Sequence, residues 1–292
     1  MGWRRERGEP GIYAQGPADG NRLDSENSQR AVKDERRRLV ERFRDRHIVV
    51  TGGGVGIGRA IAERLAAEGA TLSLLARDLE RLELLAGELG AHAARCDIRD
   101  RAAVEEAFAD AASANGPIHA LVACSGIGGP NEDGPADRFD DLVATNLSGT
   151  YYCARAAVRR LAAGPETRHL VVISSILARI AVPGYTGYSA SKAGLLGLVR
   201  SLAAELAPGN VQVNAICPGW IDTAMAWQGL DGLAEAIGGT REDAYREAMR
   251  EVPLGRMGQP ADVAGTVAWL VSDDARGVTG QAIDQNGGAW AG

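Results

Sequence analysis

The sequence predicts one doubly wound α/β domain, a seven-stranded parallel sheet flanked by helices. Three observations carry that expectation. Short apolar runs alternate with Ala/Leu/Glu/Arg-rich stretches from His47 onward, the rhythm of a parallel sheet covered on both faces. Of the 292 residues, 45% are hydrophobic and 24% charged, an ordinary globular balance that excludes bulk disorder and fibrous repeats. A cluster of glycines stands where the first apolar run meets the first helical stretch.

Charge and rare residues narrow the function classes. The formal net charge is −6, from 32 Lys+Arg against 38 Asp+Glu, which argues against a nucleic-acid partner. Of the basic residues 30 are Arg and only 2 are Lys, Lys33 and Lys192. A GC-rich genome accounts for Arg wherever only charge matters, so Lys192 is the residue to explain. Cys96, Cys124, Cys153 and Cys217 form no C-x-x-C pair and read as buried thiols of a reduced, cytoplasmic protein. His47, His92, His119 and His169 are scattered, so no metal site is expected. No apolar run approaches the ~20 residues of a membrane helix, and the start lacks the apolar stretch of a secretory signal.

In chain order, residues 1–46 come first. They hold 12 basic and 9 acidic residues, net +3, against 20 and 29, net −9, for residues 47–292. Gly, Pro, Asp and Asn dominate to about Asn27, which predicts a largely disordered extension, with a polar helix over 29–46. A dispensable extension is favoured over a partner-binding arm or nucleic-acid tail, because acids interleave the arginines. Strands are expected at 47–51, 71–76, 92–96, 118–123, 169–174, 211–216 and 280–284. Helices are expected near 57–68, 78–89, 100–114, 137–162, 187–206 and 260–272. Seven strands in ~245 residues fit one domain. The stretch 220–252 breaks the rhythm and reads as a substrate-specificity insertion at the carboxyl end of a strand.

The first strand runs into Gly52-Gly-Gly-Val-Gly56-Ile-Gly58, and a helix follows. Strand, glycine turn and helix together make a phosphate cradle: the backbone approaches closely and the helix N-terminus offers N–H groups. A tight turn alone would also use glycine; the position at the first strand–helix junction favours a dinucleotide. At the end of the second strand, where a carboxylate would hold the 2′-hydroxyl of NAD, the chain has Ala76 and Arg77. A guanidinium there suits a 2′-phosphate, although Asp78 stands beside it and Arg77 is one of many arginines. NADP(H) is therefore favoured and NAD(H) is the alternative. Asp97, after the third strand, either faces the adenine or caps the next helix.

Tyr188 and Lys192 are four apart at a helix start, and so share one face. A cation ~4 Å from a phenol is worth ~4 kcal/mol at an effective dielectric of 20, roughly 3 pKa units. That shift would bring a tyrosine toward neutrality for acid–base work. Ser175 at the end of strand five joins them from the same sheet edge, and Asn146 lies within the helix expected at 137–162.

From about Phe43 to Gly288 the chain resembles the short-chain dehydrogenase/reductases, a family with the Rossmann fold. The motifs are Thr51-Gly-Gly-Gly-Val-Gly-Ile-Gly58, Cys96-Asp97, Asn146, Ser175 with Tyr188-x-x-x-Lys192, and Pro218-Gly219 followed by Thr223. Pro253-Leu-Gly-Arg-Met-Gly-Gln-Pro260 and Thr279-Gly-Gln281 add to the likeness, which is strongest for 3-oxoacyl-carrier-protein reductases. The resemblance implies Tyr188 as the acid/base on a substrate oxygen, with Lys192 lowering its pKa and binding the nicotinamide ribose. It implies Ser175 on the substrate oxygen and Asn146 holding a relay water. It places the cofactor against Gly52, Gly54, Val55, Gly56, Ile57, Gly58, Arg77, Asp97, Ile98, Ser125, Gly126, Pro218, Gly219, Ile221 and Thr223. Tyr185, Trp220 and Trp227 would face an apolar ketone such as a 3-oxoacyl thioester, polyketide or steroid-like ring. A homotetramer or homodimer through helices 137–162 and 187–206 is also implied.

Two segments depart from the family pattern. Ala123-Cys124-Ser125-Gly126 replaces Asn-Asn-Ala-Gly, so the amide ties of that strand must pass to Ser125 or be lost. Asp284-Gln-Asn-Gly-Gly288 replaces Val-Asp-Gly-Gly, with an expected effect on a subunit contact. The reading is an oxidoreductase acting on a small-molecule carbonyl or alcohol; the competing class is a non-catalytic nucleotide-binding module.

Overall fold

In a computed structural model of the chain, residues 41–131 and 134–292 are described. The expected N-terminal extension, with Lys33, lies outside the described residues up to Val40. The compact unit starts at Glu41, before the expected boundary at residue 47. Phe43 is fully buried there, and its N–H donates to the Glu68 carbonyl at 3.0 Å.

All seven expected strands form: β1 (His47–Thr51), β2 (Thr71–Ala76), β3 (His92–Arg95), β4 (Ala120–Ala123), β5 (Arg168–Ile173), β6 (Val211–Pro218) and β7 (Ala282–Gln285). They make one parallel sheet in the order β3-β2-β1-β4-β5-β6-β7. Strand order reverses between β1 and β4, so the crevice for a ligand opens at their carboxyl ends. The helices are α1 (Gly56–Ala67), α2 (Leu79–Leu89), α3 (Arg101–Asn115), α4 (Phe139–Val143), α5 (Thr150–Val158), α6 (Thr186–Leu206), α7 (Ala224–Ile237), α8 (Arg241–Arg250) and α9 (Pro260–Leu270).

Two apolar cores sandwich the sheet. On one face Val49, Leu121, Leu170 and Val213 meet Phe108 of α3, Cys153 of α5 and Leu195 and Val199 of α6. On the other, Ile48, Val50, Leu74, Val171 and Ile216 meet Ile61 and Leu65 of α1, Leu82 of α2 and Val267 of α9. Each strand therefore points alternate side chains into different cores, which is why the strand runs read as continuously apolar.

Two elements differ from expectation. The helix expected over 137–162 is α4 and α5 joined by a π-helical turn, Ala144–Gly149. The 220–252 stretch is not an irregular loop: it forms α7 and α8 around a third small core of Leu230, Ala244, Met249 and Met257. Gly238 in the left-handed conformation ends α7, and Thr240 and Asp243 close a capping box that starts α8. No helix among the described residues is long and apolar enough to cross a membrane.

Candidate active site

The glycine turn is built by steric necessity at two positions. A Cβ on Gly52, whose φ is +72°, would meet the Ser125 backbone nitrogen at 2.8 Å. A Cβ on Gly58 would lie 2.0 Å from the Gly52 carbonyl oxygen. The turn is thus folded tightly against the end of β4. Val55 precedes α1 without a side-chain cap, and no acid occupies the first turn, so the N–H groups there are left for an anion. Gly54 lies beside Leu82, Val55 is exposed and Ile57 half-buried. The opposite wall is the segment after β6. Thr223 caps α7, accepting from Ala226 N, and its methyl would stand 3.3 Å from a Cβ on Gly56. Pro218 is buried, Gly219 packs on the Asn286 backbone, and Ile221 pairs with Gly258. The turn's close backbone packing and the free N–H groups at the start of α1, facing Thr223 across the switch point, fit a pyrophosphate-bearing nucleotide.

At the adenosine end, Arg77 is exposed just past β2. Asp78 caps α2, accepting from the Arg81 N–H at 3.2 Å, so its carboxylate is engaged away from Arg77. Asp97 does not cap α3: Asp100 does, accepting from the N–H groups of Ala102 and Ala103. Asp97 instead takes the Arg99 guanidinium at 2.7 Å, and that pairing holds its carboxyl at about 2. Ile98 is buried, and a Cβ on Gly149 of the π turn would lie 2.7 Å from it.

At the chemical end, four expected residues converge. Asn146 is fully buried within the π turn. Its Oδ1 accepts from Ile127 N at 2.9 Å, and its Nδ2 donates to Ile127 O at 3.0 Å and to Ser191 Oγ at 3.1 Å. Ser191 Oγ in turn donates to the Tyr188 carbonyl at 2.8 Å. Ser175 follows β5 by two residues and caps a short 3₁₀ turn, where its Oγ accepts from Leu177 N. Tyr188 is half-buried, and its phenol lies near enough to the Ser175 hydroxyl to feel it. Lys192 is 6% exposed, its Nζ donates to the Ile173 carbonyl at 2.9 Å, and it has no carboxylate partner among the described residues. Gly126 sits over the set: a Cβ there would be 3.1 Å from Asn146 Oδ1 and 3.4 Å from Lys192 Nζ.

The electrostatics correct one expectation. Lys192 was expected to pull the Tyr188 phenol down from a distance of ~4 Å. Its Nζ lies 5.7 Å from the Tyr188 ring centroid, and burial is the larger influence, raising the phenol above its ordinary value. The neighbouring Ser175 hydroxyl opposes that rise, and Tyr185 adds to it. Burial also pushes the Lys192 ammonium down to about 8. Cys124 lies near this ammonium, and burial holds its thiol up at about 12.

The altered strand end keeps its ties by another route. Thr51 Oγ1 accepts from the N–H groups of Cys124 at 3.3 Å and Ser125 at 3.4 Å, so the backbone of the altered segment is tied to β1 by a hydroxyl. At the chain end Asp284 pairs with Arg179 at 3.2 Å, and the Arg179 guanidinium lies 4.9 Å from the Trp290 ring centroid. Of the three expected substrate contacts, only Tyr185 adjoins Tyr188. Trp227 stacks on Tyr245 and donates to Asp222 at 2.7 Å, and Trp220 packs against Gly229 beside a separate cavity of ≈ 320 Å³. The side chain that does face the tyrosine is Met225, 47% exposed. A Cβ on Gly128 would meet its Sδ at 3.0 Å and Tyr188 Cε2 at 3.8 Å.

Residues 53–289 match the family model described as enoyl-(acyl carrier protein) reductase. The chain is 34% identical over 255 residues to the 3-oxoacyl-[acyl-carrier-protein] reductase MabA of Mycobacterium tuberculosis, covering 86% of this chain and 95% of that one. The chain is a short-chain dehydrogenase/reductase. As an oxidoreductase of this family it acts on CH–OH or ketone groups. The short-chain reductase NovJ of Streptomyces niveus is 36% identical over 250 residues, with 82% and 92% of the two chains covered. Among solved folds, this dehydrogenase/reductase superposes on a point variant of actinorhodin polyketide ketoreductase crystallised with NADPH. The TM-score is 0.78 at 32% identity, covering 84% of this chain and 97% of that one.

Sequence reasoning missed Ser191, Met225 and Arg99 as site residues. Ser191 had a signal: a serine three residues after a helical tyrosine reaches back to its carbonyl. Arg99 had none, in a chain with 30 arginines.

Proposed function

We propose that this enzyme reduces an apolar ketone with NADPH, Tyr188 delivering the proton to the carbonyl oxygen. The observation that carries the reading is the Ser175–Tyr188 hydroxyl pair with Lys192 one turn further along α6. When bound, the nicotinamide supplies the hydride, or accepts it in the reverse direction. Every other task falls to the chain. Ser175 and Tyr188 place two hydroxyls where one carbonyl oxygen can take hydrogen bonds from both, which orients the ketone and stabilises charge developing on oxygen. The raised pKa of Tyr188 keeps its proton in place until the oxygen becomes basic enough to take it. Lys192 holds a positive charge at the floor and is placed to reach the nicotinamide ribose. Asn146 fixes the floor by clamping the Ile127 backbone to α6 through Ser191.

NADP(H) rather than NAD(H) is supported by the exposed Arg77, by the diversion of Asp78 into a helix cap, and by the NADPH bound to the polyketide ketoreductase. A 3-oxoacyl thioester or polyketide substrate is supported by Tyr185 and Met225 beside Tyr188, and by the names of the relatives. A homodimer or homotetramer is supported by Phe139 on α4 and Tyr151 on α5, large hydrophobics 41% and 38% exposed. Cofactor oxidation followed with NADPH and with NADH, over 3-oxoacyl thioesters, cyclic ketones and an enoyl thioester control, tests the reading. NADPH consumption with a 3-oxo substrate is expected. Turnover restricted to NADH, or to the enoyl control, would refute it.

A further inference from the structure

Two carboxylates border Arg77, and each is tied down by a different device. Asp78 caps α2. Asp97 follows β3 by two residues; β3 ends at Arg95, which pairs with Ala76, so Arg77 and Asp97 leave the adjacent ends of neighbouring strands. Left free, Asp97 would do two things to a phosphate beside Arg77. It would compete for the guanidinium, and it would repel the incoming dianion. The structure shows Asp97 held instead by Arg99. Arg99 Nη2 donates to Oδ2 at 2.7 Å, Nε lies 3.1 Å from Oδ1 and 3.2 Å from Oδ2, and the Arg99 backbone N–H adds a bond to Oδ1 at 3.0 Å. Arg99 is itself braced from the far side, where Nη1 donates to Asp141 of α4 at 3.1 Å. Arg77 forms no ion pair among the described residues.

We propose that Arg99 is a specificity-determining residue for the 2′-phosphate: by clamping Asp97 it leaves Arg77 available to that phosphate and offsets a repelling charge. The inference rests on the NADP(H) reading. Arg99 need not touch the cofactor, so its effect must vanish when the Asp97 charge is removed. That dependence separates shielding from direct contact. Both groups are partly exposed, so the effect is of surface magnitude and shrinks at high salt.

The test is direct binding at low ionic strength, by fluorescence titration, of NADPH, NADH, 2′-phospho-ADP-ribose and ADP-ribose. Wild type, Arg99→Ala, Arg99→Ala with Asp97→Asn, and Arg77→Ala are compared, with thermal melts to verify folding. Arg99→Ala is expected to weaken the two 2′-phosphate ligands about fivefold to tenfold while leaving NADH and ADP-ribose within about twofold. Adding Asp97→Asn is expected to restore the ratio of NADPH to NADH affinity, in which any effect of Asp97 on the shared adenine cancels. Arg77→Ala should lose the 2′-phosphate affinity with no rescue available. A loss in Arg99→Ala that Asp97→Asn fails to restore would show direct contact and overturn the shielding role, as would no loss at all. Wild type binding both ligand classes equally would overturn the NADP(H) reading itself, and the inference with it.

Discussion

The resting chemistry of the site is set by burial at two side chains. Tyr188 is held above its ordinary pKa and Lys192 below its own, down to about 8. A proton is therefore kept on the phenol throughout the working range, and the group that titrates near neutrality is the ammonium. For reduction, kcat/KM is expected to fall as pH rises through about 8, when free-enzyme Lys192 loses its charge. Rate measurements from pH 6 to 10 check this. Lys192→Arg is expected to lose most activity, because the guanidinium fork does not fit an ammonium position. Its residual activity should show no limb near pH 8, since arginine does not titrate there. A limb unchanged in the arginine variant would assign the titration elsewhere. At this scale the sequence was informative about identity and silent about field: the rarity of lysine singled out Lys192, but nothing in the spacing told that its Nζ bonds the Ile173 carbonyl.

Among the elements, the seven strands were legible because each is a short apolar run serving two cores. The π turn at Ala144–Gly149 was not legible, because an i→i+5 turn leaves no side-chain period to read. It matters, because it presents Asn146 to Ile127 and Ser191. Gly149 at its end lets the turn sit directly against Ile98, where a Cβ would meet the side chain at 2.7 Å and the carbonyl oxygen at 2.9 Å. Gly149→Ala is expected to cost about 1–3 kcal/mol of stability and to weaken nucleotide binding, because Asp97 and Ile98 must move together. Denaturant titration and NADPH titration of the variant check both; an unperturbed variant would mean that the loop yields freely. The helices of the 220–252 insertion were hidden for a different reason. Gly229, Gly232, Gly238 and Gly239 interrupt the helical pattern, while the aromatic residues that looked like a substrate wall are mostly the small core between α7 and α8.

Across the whole molecule, the two edges of the sheet have opposite characters. The carboxyl edge carries the candidate active site. The amino edge carries His47 on β1, His119 just before β4 and His169 on β5, with His47 N donating to His119 Nδ1 at 3.0 Å. His169 is 1% exposed and both of its ring nitrogens lack a partner. Burial lowers it to about 4, with Arg46 adding to the effect and Asp273 opposing it. A histidine that stays neutral in the fold while the unfolded chain takes up a proton loses stability as pH falls from about 6.5 toward 4. At pH 5 the expected loss from His169 is about 2 kcal/mol. Urea titrations at pH 7.5 and pH 5 measure it, and His169→Leu should flatten the difference. Equal pH dependence in the variant would place the acid sensitivity elsewhere.

The central claim is that Tyr188 donates the proton that completes carbonyl reduction. Tyr188→Phe removes one oxygen and keeps the ring packing, so it isolates that proton. Turnover with NADPH and a 3-oxoacyl thioester, alongside NADPH binding by fluorescence, tests it most directly. The expected result is a fall in kcat of about 10²–10⁴-fold with NADPH affinity nearly intact. Turnover within a few-fold of wild type, with the cofactor still bound, would contradict the account.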